Sequence, residues 1–297
     1  MQDQGSPGRA ALWMVGAVAS FTLMALAGRE VSFALDTFEI MFYRSLVGVV
    51  MIVSITTMRR DWAGFHARKL GLHAVRNLAH FTGQNLWFFA IATIPLAQVV
   101  ALEFTSPIWV VILAPLVLGE RLTRVRVLAA LIGFAGVLVV VRPEMSRIGP
   151  GELAAAACAV GFGLSALFTR KLRRTETTLS VLVWLTVMQA VFGLIAAGID
   201  GDIAAPSLVT APYLLVIGAA GLAAHLCLTT ALGHASAAVV MPMDFARLPV
   251  LAIIGALVYL EPIDPWIIAG AGLIVLANWL NIRSETRSAA QKSHTAT

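Results

Sequence analysis

Ten apolar runs, each close to twenty residues and each closed by a helix breaker or a cluster of charge, constrain this chain more than any other feature. They fall at 10–27, 37–57, 71–93, 97–118, 126–141, 151–169, 178–198, 210–232, 237–260 and 265–282. A hydrocarbon core of ~30 Å takes roughly 20 helical residues, and inside it every backbone polar group must be paired within the segment. The expected fold is therefore all-α and integral to a membrane, with ten transmembrane helices. Between the runs stand Ile94-Pro95, Arg142-Pro143, Gly149-Pro150-Gly151, Asp200-Gly201-Asp202, Ala211-Pro212 and Glu261-Pro262, and no loop is long enough for a soluble domain. At 59% apolar and 12% charged, a water-soluble globule of 297 residues would have no way to cover its apolar surface.

The basic balance of the chain, with a pI near 9.8, does not point to nucleic acid, because the Lys and Arg residues cluster in the gaps between runs. With the N-terminus in the cytoplasm, the inner gaps and tails hold Arg9, Arg59, Arg60, Arg68, Lys69, Arg121, Arg124, Arg126, Arg170, Lys171, Arg173, Arg174, Arg283, Arg287 and Lys292. The outer gaps hold only Arg29, Arg142 and Arg147. Such a bias predicts both termini in the cytoplasm and an even number of spans. The first run follows a single basic residue, Arg9, and lacks a small-residue cleavage site, so it reads as a retained span. Cys158 and Cys227 both lie inside apolar runs and read as packing residues.

Shifted by 141 residues, the sequence aligns with itself: Arg29 meets Arg170, Glu103 meets Asp244, Phe104 meets Phe245, Glu120 meets Glu261 and Arg142 meets Arg283. Five spans per copy force the second copy into the membrane upside down. Two inverted-topology five-helix repeats are the architecture of secondary transporters, whose site lies near the midplane between the halves. The expected parts are a tail at 1–9, a first repeat at 10–141, a connector at 142–150, a second repeat at 151–283 and a tail at 284–297. Small residues at Gly16 and Ser20, matched by Ala157 and Gly161, read as close helix packing.

The stretch from Asn85 to Thr123, NLWFFAIATIPLAQVVALEFTSPIWVVILAPLVLGERLT, and that from Ala231 to Asp264, ALGHASAAVVMPMDFARLPVLAIIGALVYLEPID, resemble the two EamA-type repeats of the drug/metabolite transporter superfamily. FEIMFYRSLVG in the second span extends the likeness, whereas Leu260 stands where the first repeat has Gly119. The resemblance implies ten spans, a bacterial inner-membrane location, cytoplasmic termini and movement of small organic solutes, often export of amino acids and related metabolites.

A charge at bilayer depth costs at least ~2.5–3.5 kcal/mol, so ionisable residues well inside a span are candidates for function. Glu103 and Asp244, at equivalent repeat positions, are expected to face one central cavity and to bind a proton or a substrate ammonium group. The structural alternative is an ion pair, since Asp244 and Arg247 lie three apart on one helix. The third span carries a polar stripe of His73, Arg76, Asn77, His80, Gln84 and Trp87 at three- and four-residue steps. Gln84 corresponds to His225 in the eighth span, which makes Arg76, His80, Gln84, Trp87 and His225 expected cavity-lining residues beside Arg247. Glu39 and Arg44 open the second span, where a salt bridge or snorkelling accounts for Glu39, and Arg44 is read as structural or gating. Glu120 and Glu261 end symmetric spans and are read as orienting loops or gates. Pro107, Pro115, Pro242 and Pro249 are expected to kink the fourth and ninth spans. Trp87, Trp109 and Tyr43 are candidates for stacking on an aromatic solute.

No GxxxxGK[ST] loop occurs, so the expected drive is a coupled ion, with a proton as the candidate, or exchange or facilitated diffusion. No cofactor, metal or nucleic-acid partner is expected, and the sequence does not specify an oligomeric state. The leading reading is a secondary transporter of an amino-acid-like metabolite, acting in export. Against it stand an importer or facilitator of a vitamin- or nucleoside-like solute, and an intramembrane protease using Ser165 and His225, a weak match because a serine among small residues usually packs.

Overall fold

The computed structural model describes residues 7–66, 68–119, 124–141, 148–172, 175–199, 201–234, 243–244, 246–262 and 264–294. Among them there is no strand. The helices are α1 (Pro7–Val31), α2 (Thr37–Arg59), α3 (Leu70–Thr93), α4 (Leu96–Glu103), α5 (Ser106–Leu118), α6 (Arg124–Val141), α7 (Pro150–Leu172), α8 (Thr178–Ala197), α9 (Thr210–His234), α10 (Arg247–Val258) and α11 (Pro265–His294), with one 3-10 turn at Trp62–Gly64. Leu12, Val15, Leu131, Phe134, Ile195 and Ile268 are each more than half exposed. An aqueous surface does not tolerate large apolar side chains on so many helices, and lipid does.

Among the described residues, five helices are long and apolar enough to cross a membrane unaided: Gly8–Val31, Thr37–Arg59, Pro150–Thr169, Thr178–Ala197 and Thr210–Leu228. Leu96–Val110 with Ile112–Leu118 makes a sixth if the bent pair is one span. Ala130–Val139, Arg247–Val258 and Pro265–Ala277 are shorter apolar helices. α3 has the length of a span, at 24 residues, but turns a polar stripe inward, and the fourth span is divided between α4 and α5. Two boundaries also move, because α1 continues through Arg29 to Val31 and α11 runs on to His294.

Prolines account for the interruptions in the fourth span. Pro107 has no N–H to offer the Glu103 carbonyl, so α4 ends at Glu103 and α5 restarts at Ser106 with the proline in its first turn, where a missing donor is harmless. Pro115 lies inside α5, and the chain bends by 47° between Val110 and Ile112, at the carbonyl its ring displaces. Pro249 likewise sits in the first turn of α10. Pro107 and Pro249 thus belong to helix restarts instead of the expected kinks, and Pro242 lies outside the described residues.

The sequence repeat is written into the helix boundaries. Thr37 and Thr178 open α2 and α8, and Ser106 and Arg247 open α5 and α10. Each pair differs by 141 in residue number. The dominant packing pairs are α1 with α9, α3 with α7, α2 with α8 and α6 with α11. Exchanging every helix for its counterpart maps that set onto itself, which describes a pseudo-two-fold axis. On α2 and α8, Phe42 meets Gly193 while Gly48 meets Thr186, so these equivalent helices run antiparallel. On α6 and α11, Gly133 lies by Ala277 while Gly136 lies by Gly270 and Ile274, again antiparallel. Close crossings rest on small residues: a methyl group at Gly161 would stand 2.8 Å from the Gly83 Cα, and one at Gly16 3.0 Å from the Cys227 Sγ.

Gly119 follows α5 with φ +69°, and its counterpart Leu260 adopts φ 55°. A β-carbon in that region costs roughly 1–2 kcal/mol, so the second repeat holds a leucine where the first uses a glycine. The turn brings the Glu261 N–H back to the Gly255 carbonyl at 3.1 Å. Leu260 is 86% exposed, so its side chain contributes little burial. Leu260→Gly is therefore expected to raise the midpoint of thermal unfolding in detergent, a gain of about 1 kcal/mol; an unchanged or lower midpoint would mean that the strain is relieved elsewhere.

Candidate functional site

The break after α4 and the start of α10 bring the acidic residues of both repeats to one arginine. Arg247 Nη2 donates to Glu103 Oε1 at 2.8 Å and to Asp244 Oδ2 at 3.1 Å, while Trp87 Nε1 donates to Glu103 Oε2 at 2.9 Å. The Arg247 side chain is 4% exposed, against 13% for Glu103 and 18% for Asp244. Its guanidinium carbon lies 5.0 Å from the Phe21 ring centre and 5.2 Å from that of Phe104, so aromatic faces supply attraction where water is excluded. Glu103 and Asp244 thus share one arginine, and the Asp244–Arg247 contact is the ion pair that their spacing offered as the structural alternative. Two like charges this close in a weakly polar interior repel strongly, and the cation between them offsets that repulsion. Asp244 Oδ1 and Arg247 Nε remain buried without a hydrogen-bond partner.

The polar stripe of α3 faces inward. His73, Arg76, Asn77, His80, Gln84 and Trp87 are all buried. Arg76 donates from Nε to Thr169 Oγ1 at 3.0 Å and from Nη1 to Asn77 Oδ1 at 2.7 Å; Asn77 Nδ2 donates to the Trp184 carbonyl. The His80 and His225 rings lie 5.9 Å apart edge to face, and the Phe21 ring approaches His225 at the same distance. His225 thus turns towards His80 and Phe21. Arg44 does not snorkel: it is 8% exposed, with its Nη1 3.5 Å from the Met41 Sδ and its guanidinium facing the Phe88 ring. Glu39 makes no bridge to it. One Glu39 oxygen closes a capping box by accepting from the Asp36 N–H at 2.9 Å, and the other accepts from the Ala204 N–H at 2.6 Å. Arg44, Gln189, Thr186 and His225 line a narrow void of about 20 Å³ between α2, α8 and α9. Thr186 and Gln189, three apart on the otherwise apolar α8, went unread in the sequence, although polar residues at that spacing signal an inward face.

A second ionic group sits where α1, α3 and α10 end. Arg29 Nη1 pairs with Glu261 Oε1, Arg29 Nη2 donates to the Ile94 carbonyl at 3.2 Å, and the Leu96 N–H donates to Glu261 Oε2 at 3.1 Å. Tyr259 donates its hydroxyl proton to Glu30 at 2.8 Å while its ring lies under the Arg29 guanidinium. Glu120, the counterpart of Glu261, lies outside the described residues. Tyr43 donates to the Ala204 carbonyl and so anchors a loop, and Trp109 lines an apolar groove of about 400 Å³ walled by α5 and α6. Ser165 is buried, and its carbonyl accepts from the Thr169 hydroxyl at 2.7 Å.

The profile of the EamA-like transporter family matches residues 8–142 and 149–283. A riboflavin transporter from Rhizobium johnstonii is 30% identical over 283 residues, covering 93% of this chain and 92% of that one. A pseudopaline exporter from Pseudomonas aeruginosa is 29% identical over 89% of this chain and 93% of its own length. An S-adenosylmethionine uptake transporter from Rickettsia bellii is 22% identical over 94% and 95% respectively. One crystal structure, 19% identical, superposes with a TM-score of 0.66 over 95% of this chain and 99% of that chain, a likeness of fold.

Removing one member of a buried ionic contact strands its partner, at a cost of about 3–5 kcal/mol. Arg247→Gln is expected to lower the thermal unfolding midpoint sharply, and Glu103→Gln placed on top of it to recover part of the loss. A double-mutant cycle followed by thermal unfolding in micelles measures this coupling; strictly additive effects would show that Glu103 and Arg247 do not share a contact.

Proposed function

The chain belongs to the EamA-like transporter family, and we propose that it is a secondary active transporter, moving a small organic metabolite by alternating access between two inverted five-span halves. The observation that carries this reading is the Glu103–Arg247–Asp244 contact, which joins one half to the other at the point where both repeats restart a helix. A carrier must hold its halves together in one state and release them in another, so the contact has to be exchangeable. A proton arriving on Glu103, or a cationic group of the substrate replacing Arg247 between the acids, would weaken it and free the halves to rock. Family membership and relatives named as transporters leave the protease reading of Ser165 and His225 without support.

On this reading the chain lies in the bacterial cytoplasmic membrane with both termini inside, and the Arg29–Glu261 group closes the outer end. The 141-residue offset of helix boundaries supports repeats at 10–141 and 151–283. The substrate reading is an amino-acid-derived metabolite, exported, whose ammonium group suits Asp244 and whose carboxylate suits the buried arginines. The riboflavin transporter, at 30% identity, supports a second reading in which the solute is vitamin-like.

Two measurements test these roles. Purified protein in proteoliposomes, assayed by counterflow with labelled amino acids, riboflavin and S-adenosylmethionine, should carry at least one of them, and Glu103→Gln should reduce that flux to the level of empty liposomes. Full flux in the variant, with its pH dependence retained, would remove Glu103 from the coupling step. In a background of Cys158→Ala and Cys227→Ala, the pair Arg29→Cys and Glu261→Cys should be joined by a short cleavable thiol cross-linker. Transport should stop on cross-linking and return on reduction; undiminished flux in the cross-linked protein would mean that this end never opens.

A further inference from the structure

Four arginines, Arg29, Arg44, Arg76 and Arg247, turn into the helical bundle, and among the described residues two of them have acids. Arg29 is paired with Glu261, and Arg247 with Glu103 and Asp244. Arg44 and Arg76 are 8% and 6% exposed, and among the described residues no carboxylate lies within ion-pair distance of either. A guanidinium keeps its charge under almost any surroundings, so neither can shed the cost of burial by losing a proton. At several kcal/mol for each uncompensated charge, two together make an unfavourable arrangement unless an anion completes it.

The unpaired charges converge on a set of idle donors. Among the described residues, Arg76 donates through Nε and Nη1 to Thr169 and Asn77, and Arg44 meets a thioether sulfur and an aromatic face. The buried His80 Nε2 and Gln189 Nε2 have no partner at all. His80, one turn from Arg76 on α3, has its ring 5.9 Å from that of His225, and His225 lines the void together with Arg44 and Gln189. Gly218 and Gly221 border the same void, and a methyl group at Gly221 would stand 3.4 Å from Arg44 Nη2. A side chain there would take the space in front of the guanidinium.

We propose that Arg44 and Arg76, with His80, His225 and Gln189, form an anion subsite that takes the carboxylate or phosphate of an organic substrate. This deepens the transporter reading and rests on it. The void of about 20 Å³ has room for about one water, so a larger anionic group enters as α2 separates from α8 and α9. The donor set suits a planar carboxylate or a phosphate, each able to accept from two guanidinium groups at once. A neutral solute would leave both charges as they are.

The test reads binding apart from transport. Purified full-length protein in detergent is titrated at constant osmolarity with citrate, glycerol phosphate, inorganic phosphate and chloride, and the thermal unfolding midpoint is followed. Citrate or glycerol phosphate should raise the midpoint of the wild type in a saturable way. Arg44→Gln and Arg76→Gln should each weaken the apparent affinity by ~10- to 100-fold, with Arg44→Lys retaining part of it as a check on folding. The proposal is overturned if neither organic anion shifts the wild type, or if the shifts persist undiminished in both Gln variants. Stabilisation by phosphate and chloride alone would also overturn it, since the site would then hold an inorganic ion only. A protein that binds the organic anions but carries no solute in liposomes would count against the transporter reading and leave the subsite standing.

Discussion

Charge held inside a weakly polar interior is the constraint on which the rest of this structure depends. Water is absent from a hydrocarbon core, so each ionised group there needs a partner supplied by the protein or by what the protein carries. Arg247 meets this demand for two carboxylates at once, and in doing so it ties Glu103 of one half to Asp244 of the other. The tie is stable only while all three groups keep their charges and their places. On the alternating-access reading, that conditional stability lets the contact open when the halves move.

The backbone is organised around the same demand. Uninterrupted helices satisfy the bilayer but present side chains only along their flanks. Interrupting the fourth span at Glu103 and opening α10 at Arg247 turns helix ends towards the centre, where ionised side chains of both halves meet. The prolines that interrupt the fourth span are harmless where they stand, since Pro107 falls in a first turn and the bend at Pro115 lies beyond the ionic contact. The tight crossings at Gly83–Gly161 and Gly16–Cys227 then hold α3 on α7 and α1 on α9 closely enough that the remaining motion lies between helix pairs.

Much of this was legible in the sequence, for identifiable reasons. Burial on a helix repeats every 3.6 residues, so the stripe from His73 to Trp87 announced the inward face of α3. A constant offset between charged residues announced that Glu103 and Asp244 would meet. What Arg247 does between them was not legible, because its reach across to α4 depends on the rotation of α10 after a break that no periodicity encodes. The sequence left Arg44 between a structural and a gating role, because its direction seven residues into α2 depends on the packing of α2 against α8 and α9, which turns it inward. Arg29 looked like a loop residue because hydropathy falls at a charge, yet α1 keeps its hydrogen bonds to Val31, and the last turn aims the guanidinium at Glu261.

The repeat is faithful in its scaffold and unfaithful in its chemistry. Helix boundaries match at one offset, and Gly119 and Leu260 adopt the same left-handed turn even though one of them is strained by it. At the same offset, however, Arg44 corresponds to Leu185, Arg76 to Ile217, His80 to Gly221 and Arg247 to Ser106. Alternation between two states of similar energy asks for matched backbones, because each half must be able to adopt the conformation of the other. Recognition asks for the opposite, since a small solute with one anionic end and one cationic end is not two-fold symmetric. Placing Arg44, Arg76 and His80 on α2 and α3 and leaving the counterpart positions apolar or empty meets both requirements, with symmetry kept in the helices and broken only where a ligand would touch.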